Sequence, residues 1–209
     1  MEKMKVEITL IEDMLGTLPG DSEIFKNFVA KKAEKTQPDF MKSEKLEEEL
    51  ATLKPMDAEE AYEKGCTIFA KLEDGTPFIY DYLIKGFFKN ACKALREDKK
   101  SASSKLSAYK TKIDNLVFVG PRKILFEMEE NAKISICERP LRASTPQGER
   151  VALAASESVP AGTKMTFEIT TLNEDMMKLV PDWLDYGQFN GLGQWHNSGK
   201  GRFTWKLVD

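Results

Sequence analysis

Tyr82–Glu97 narrows the possible folds more than any other stretch. Leu83, Phe87, Ala91 and Leu95 recur at i, i+4 spacing, and Ile84, Phe88 and Cys92 form the adjacent row, so the two rows make a wide apolar helix stripe. On the opposite side Lys85, Lys89 and Lys93 are also four residues apart, with Arg96 one turn further. Such a helix must lay its apolar side on a sheet or on other helices. Its cationic side is left to solvent or to an anion.

The partners for that stripe are strands. Val6, Ile8 and Leu10 alternate with polar residues, as do Met165, Phe167 and Ile169 and the closing Phe203–Leu207, which is the period of a half-buried strand. Ile113–Val119, Arg122–Met128 and Ile134–Cys137 are predicted as further strands. Cys66–Ala70 and Pro77–Tyr80 flank Glu73-Asp74-Gly75 as a hairpin. Gly16 and Pro19-Gly20 predict a turn after the first strand. Helices are predicted from Asp21 or Ser22 to Pro38, and from Asn173 or Glu174 onward with Pro181 near the middle. Strands and helices mix without a regular strand–helix–strand repeat, which predicts an α+β fold with a largely antiparallel sheet.

At 209 residues the expectation is a single domain over 1–209 with two insertions. One, at about 39–64, is rich in Glu and Lys and predicted helical, broken at Pro55. The other, at about 138–158, holds Arg139, Arg142 and Arg150 without a clean period and is expected as a long functional loop. The small polar run Asp98–Ser107 is predicted to be a mobile loop.

An apolar fraction of 41% with twelve Phe supports a packed core, while no apolar run approaches the roughly 18 residues of a membrane helix. The opening MEKMKVEITL enters a strand directly, with no basic and apolar leader, so a cytoplasmic location is expected. Cys66, Cys92 and Cys137 are odd in number and widely spaced, fitting neither a disulfide framework nor a zinc site. No cofactor and no metal is predicted. A net charge of −3 argues against a globally basic nucleic-acid binder, so any such partner must meet a local patch.

The local patch is the C-terminal stretch Tyr186–Val208. Five of the thirteen glycines (Gly187, Gly191, Gly193, Gly199, Gly201) alternate here with Phe189, Trp195, His196, Lys200, Arg202 and Phe203. Glycines let a ligand approach the backbone amides, and the cations suit a polyanion. The same composition also suits a turn that caps a sheet.

Three segments resemble the RAMP superfamily of CRISPR-associated RNA-binding proteins, whose core is RRM- or ferredoxin-like. The family's helix-entry motif is matched by Pro77-Phe-Ile-Tyr-Asp-Tyr-Leu-Ile-Lys85-Gly86-Phe-Phe-Lys89, although Asp81-Tyr82 stands where the family has a small Gly-Ser. A late strand motif is matched by Val159–Ile169, and the glycine-rich loop by Gly191-Leu-Gly193-Gln-Trp-His-Asn-Ser-Gly199-Lys-Gly201-Arg202. The chain is also similar to proteins encoded in phage and prophage genomes. The resemblance implies an antiparallel sheet with helices on one face and a groove for single-stranded RNA or DNA. That groove is lined by Lys85, Lys89 and Lys93, by Arg139, Arg142 and Arg150, and by Gly191, Gly193, Trp195, His196, Gly199, Lys200, Gly201 and Arg202. It implies non-catalytic binding, RNA favoured, with self-association along the strand or membership of a CRISPR-type complex. One alternative is a metal-independent endoribonuclease using His196 beside Lys200. Another is a phage-encoded interaction protein or inhibitor that contacts a CRISPR complex through the acidic insertion.

Overall fold

The computed structural model describes residues 1–20, 66–145 and 148–208, apart from the side chains of 141–153. The helix expected over Asp21–Pro38 and the charged insertion at 39–64 lie outside these residues. In chain order the elements are β1 (Glu2–Leu10), β2 (Met14–Leu15), β3 (Leu18–Pro19), β4 (Thr67–Ile68), β5 (Ala70–Lys71) and β6 (Pro77–Tyr80). They continue with α1 (Asp81–Leu95), α2 (Tyr109–Leu116), β7 (Val117–Gly120), β8 (Lys123–Leu125), β9 (Ser135–Thr145) and β10 (Gly148–Val159). The last are β11 (Lys164–Thr171), α3 (Glu174–Met177), α4 (Val180–Asp185) and β12 (Phe203–Leu207). Among the described residues no helix is long and apolar enough to cross a membrane. The chain forms two compact units, one of 1–14, 78–133 and 159–209, the other of 15–77 and 134–158.

The first unit is built on a sheet in the order β12-β1-β11-β7, with every pair antiparallel. Taken with α1 between β1 and β7, and α3 and α4 between β11 and β12, this is the α+β ferredoxin-like arrangement: strand, helix, two strands, helix, strand, with the first and third strands central. Val6, Ile8 and Leu10 of β1 and Met165, Phe167 and Ile169 of β11 all point to one face and are buried. On that face α1 lays down Ile84, Phe87, Phe88, Ala91 and Cys92. Phe87 meets Phe203 of β12 edge-on at 5.2 Å, and Phe88 meets Trp183 of α4 at 5.7 Å. The other face is polar and ion-paired, Lys3 with Glu168 at 2.9 Å and Lys206 with Glu7 at 3.0 Å. β6 and β8 pair antiparallel as a separate ribbon, and the Asp81 N–H at the start of α1 donates to the Arg122 carbonyl at 2.9 Å.

Three local expectations change in the first unit. Residues 113–116, predicted as strand, close helix α2, because Tyr109, Ile113 and Leu116 recur at helical spacing and Ile113 is the buried one. The strand begins only at Val117. The expected mobile loop at 98–107 contains a 3₁₀ turn, Ala102–Lys105, whose Ser103 is fully buried and accepts a hydrogen bond from Trp183 Nε1 at 3.0 Å. The single helix expected after Asn173 is two. Asn173 caps α3 by accepting from the Met176 N–H at 2.9 Å, and Pro181 sits in the first turn of α4, where its missing N–H costs nothing.

In the second unit the chain 138–158, expected as an irregular loop, is the body of a hairpin. β9 and β10 pair antiparallel from Ser135–Ser158 to Thr145–Gly148. Pro140 broke the apparent pattern, but among the described residues β9 pairs only with β10, and an edge strand tolerates a residue without an N–H. Next to β10 lies β4, parallel at Ser156–Thr67, and then β3, antiparallel to β4. After the short β5 the expected turn forms, with the Leu72 N–H on Thr76 O and Gly75 at φ +90°. Between β4 and β5 the Phe69 N–H leaves the ladder and donates to the buried Glu157 Oε2 at 2.8 Å, and Lys71 pairs with the other oxygen. Glu157→Ala should therefore cost about 1–3 kcal/mol, the usual loss when the acceptor of a buried hydrogen bond is removed. Urea unfolding of Glu157→Ala that matches the unsubstituted protein would refute that role.

Candidate nucleic-acid interface

Lys85 and Lys89 of α1 face α2. Lys85 Nζ donates to the Asp114 backbone carbonyl at 3.0 Å and stands 5.2 Å from the Phe118 ring centre. Burial lowers its ammonium pKa below the ordinary value, with the nearby Asp114 carboxylate pulling the other way. Lys89 pairs with Asp114 Oδ1 at 2.5 Å. Lys93, in the last turn of the helix, is exposed, and among the described residues it meets no carboxylate. A strand over Ile113–Val119 would not set Asp114 against this row; helix α2 does.

The glycine-rich loop closes on itself and on the end of β1. Leu192 N–H donates to Gly201 O at 2.9 Å, Gly201 N–H to Asp13 O at 2.8 Å and Ile11 N–H to Arg202 O at 2.8 Å. A Cβ at Gly191 would overlap the backbone of Gly201, and one at Gly201 would overlap the Leu192 carbonyl. These two glycines thus serve a backbone-to-backbone approach within the protein. Gly193 and Gly199 carry positive φ at the turns. Trp195 is half-buried with φ +56°, and its carbonyl accepts from the Ser198 and Lys200 amides. His196 Nδ1 lies 2.9 Å from the Gly193 carbonyl; a carbonyl only accepts, so Nδ1 carries a proton and donates. Lys200 pairs with Asp13 at 3.3 Å and Arg202 with Glu12 at 3.0 Å.

Helix and loop touch through amides. Asn90 Nδ2 of α1 lies 3.5 Å from Asn190 Oδ1, and Asn190 Nδ2 donates to Asn197 Oδ1 at 3.2 Å. Beside them Phe189 has 76% of its surface exposed. Phe189 is one of the loop aromatics and is not among the site residues that the resemblance implies. Phe203 opens an alternating strand segment, whereas no period around Phe189 indicates which way its ring faces. The three arginines belong to the second unit: Arg139 is buried, Arg142 stands opposite Val151, and Arg150 opposite Ala143 in the hairpin.

Comparisons with protein-family profiles and with curated proteins find no match. Among solved structures, the chain is similar to a chain of a type III-B Cmr-beta complex bound to cognate target RNA, at 12% identity and a TM-score of 0.48, covering 100% of this chain. It spans 60% of the length of that chain. It is also similar to a chain of a type IV-B CRISPR complex, at 13% identity and a TM-score of 0.48, covering 99% of this chain and 90% of the other.

Proposed function

We propose that the protein binds single-stranded nucleic acid, RNA in preference to DNA, without cleaving it, as a subunit repeated along the strand or within a CRISPR-type complex. The observation that carries this proposal is the junction of the two predicted basic elements in one unit: α1, with Lys85, Lys89 and Lys93, abuts the loop of Lys200 and Arg202 through Asn90 and Asn190. The motif resemblance at the same two elements supports it. Their ion pairs do not stand against it. Lys89, Lys200 and Arg202 are each about one-third exposed, and pairs at such positions are worth roughly 0–1 kcal/mol, so a phosphate can take over from Asp114, Asp13 or Glu12 at small cost. We include Arg139, Arg142 and Arg150 as a separate basic element, and Trp195 and His196 as loop residues for stacking or hydrogen bonding to the strand.

Each phosphate neutralised releases counterions, so log affinity for a single strand should fall with log salt by about 0.7 per contact. Removing the charges of Lys85, Lys89, Lys200 and Arg202 together should flatten that slope without changing sequence preference, since phosphate contacts position a strand and do not read it. Fluorescence anisotropy over a salt series measures both. Absence of salt-sensitive binding by the unsubstituted protein to any single-stranded RNA or DNA refutes the proposal.

A further inference from the structure

Gly86 is exposed in the middle of α1, and a Cβ there would meet nothing within 4 Å. The fold does not require this glycine, and glycine inside a helix is less stable than alanine. It lies in one row with Asn90 and Lys93, at i, i+4 and i+7, on the side of α1 where Asn90 touches the glycine-rich loop. At that contact Asn190 spends its amide on both neighbours. The Asn90 carbonyl oxygen and the Asn197 amide nitrogen have no other partner among the described residues, which leaves one acceptor and one donor. Phe189, next to Asn190, offers an exposed ring. An exposed aromatic with a donor, an acceptor, a lysine and a helix surface without a side chain is the chemistry that holds an unpaired base: stacking for the ring, amides for its edge, charge for the adjoining phosphate.

We propose that Phe189, Asn90, Asn197 and the Gly86–Lys93 row form a platform for one unpaired nucleobase, with the sugar-phosphate passing over Gly86. This rests on the single-strand reading above and adds to it a contact to the base itself. The test uses a labelled single-stranded oligoribonucleotide and the same strand with abasic positions in place of bases. The unsubstituted protein should bind the base-bearing strand more tightly, by about tenfold for a stacked base. Phe189→Ala should lower that ratio toward one while keeping the salt slope. Gly86→Ala should melt at a higher temperature yet bind the base-bearing strand more weakly, an opposition that loss of folding does not produce. If Phe189→Ala keeps the ratio, or Gly86→Ala binds as well as the unsubstituted protein, the platform is overturned while phosphate binding stands. If the unsubstituted protein binds neither strand, both proposals fall.

Discussion

Phe87→Ala is expected to lower the unfolding free energy by about 3–5 kcal/mol, the usual loss for deleting a buried ring with its surroundings only partly collapsing. The ring is buried where three parts of the first unit meet, touching Phe88 of its own helix, Phe203 of β12 at 5.2 Å and Tyr186 at 6.5 Å. Dispersion and burial are lost together, because the neighbours sit on a sheet and two helices that cannot all move inward. Each kcal/mol corresponds to about 2–4 °C of melting temperature at this chain length. Tyr186 leads directly into the glycine-rich loop, so the proposed nucleic-acid binding should fall in this variant in parallel with the folded fraction and keep its salt slope. A melt unchanged by the substitution would show that the apolar stripe of α1 does not carry the core.

Gly201→Ala should be nearly as damaging, for a different reason. Gly201 has φ +68°, a region costing a residue with a Cβ about 1–3 kcal/mol. The added methyl also meets the Leu192 carbonyl, which is tied back to Gly201 by its own amide and cannot retreat, adding about 1–3 kcal/mol of overpacking. Gly199→Ala is the internal comparison. Its φ is +89°, but the nearest atom to a new Cβ is the Arg202 side chain at 3.6 Å, so only the backbone term applies. Thermal unfolding should therefore rank Gly201→Ala well below Gly199→Ala. Equal melting temperatures would mean that the loop opens and closes freely, and that its glycines are available to a ligand and not committed to the fold.

Much of the core was readable along the chain. The i, i+4 rows of α1 and the alternation in β1, β11 and β12 report which face of each element is apolar, and all four contribute to one core in the first unit. The misplaced start of β7 and the hairpin of β9 and β10 mark where local pattern is ambiguous. A short apolar run such as Ile113–Val119 satisfies helix and strand periods alike. An edge strand containing Pro140 is recognised only by its partner.

The candidate interface divides in the same way. That α1 carries a lysine row and that the C-terminus is glycine-rich, aromatic and basic are properties of the sequence by itself, because spacing and residue type are local. Tertiary structure alone decided that Asp114, Asp13 and Glu12 stand against those cations, that Gly191 is spent on the Gly201 backbone and Gly201 on the Leu192 carbonyl, and that Phe189 faces water. The pairs of Lys200 with Asp13 and Arg202 with Glu12 join residues far apart in the chain. Their pairing follows from the order β12-β1-β11-β7, which brings the last strand beside the first and lays the loop preceding it on Ile11–Asp13.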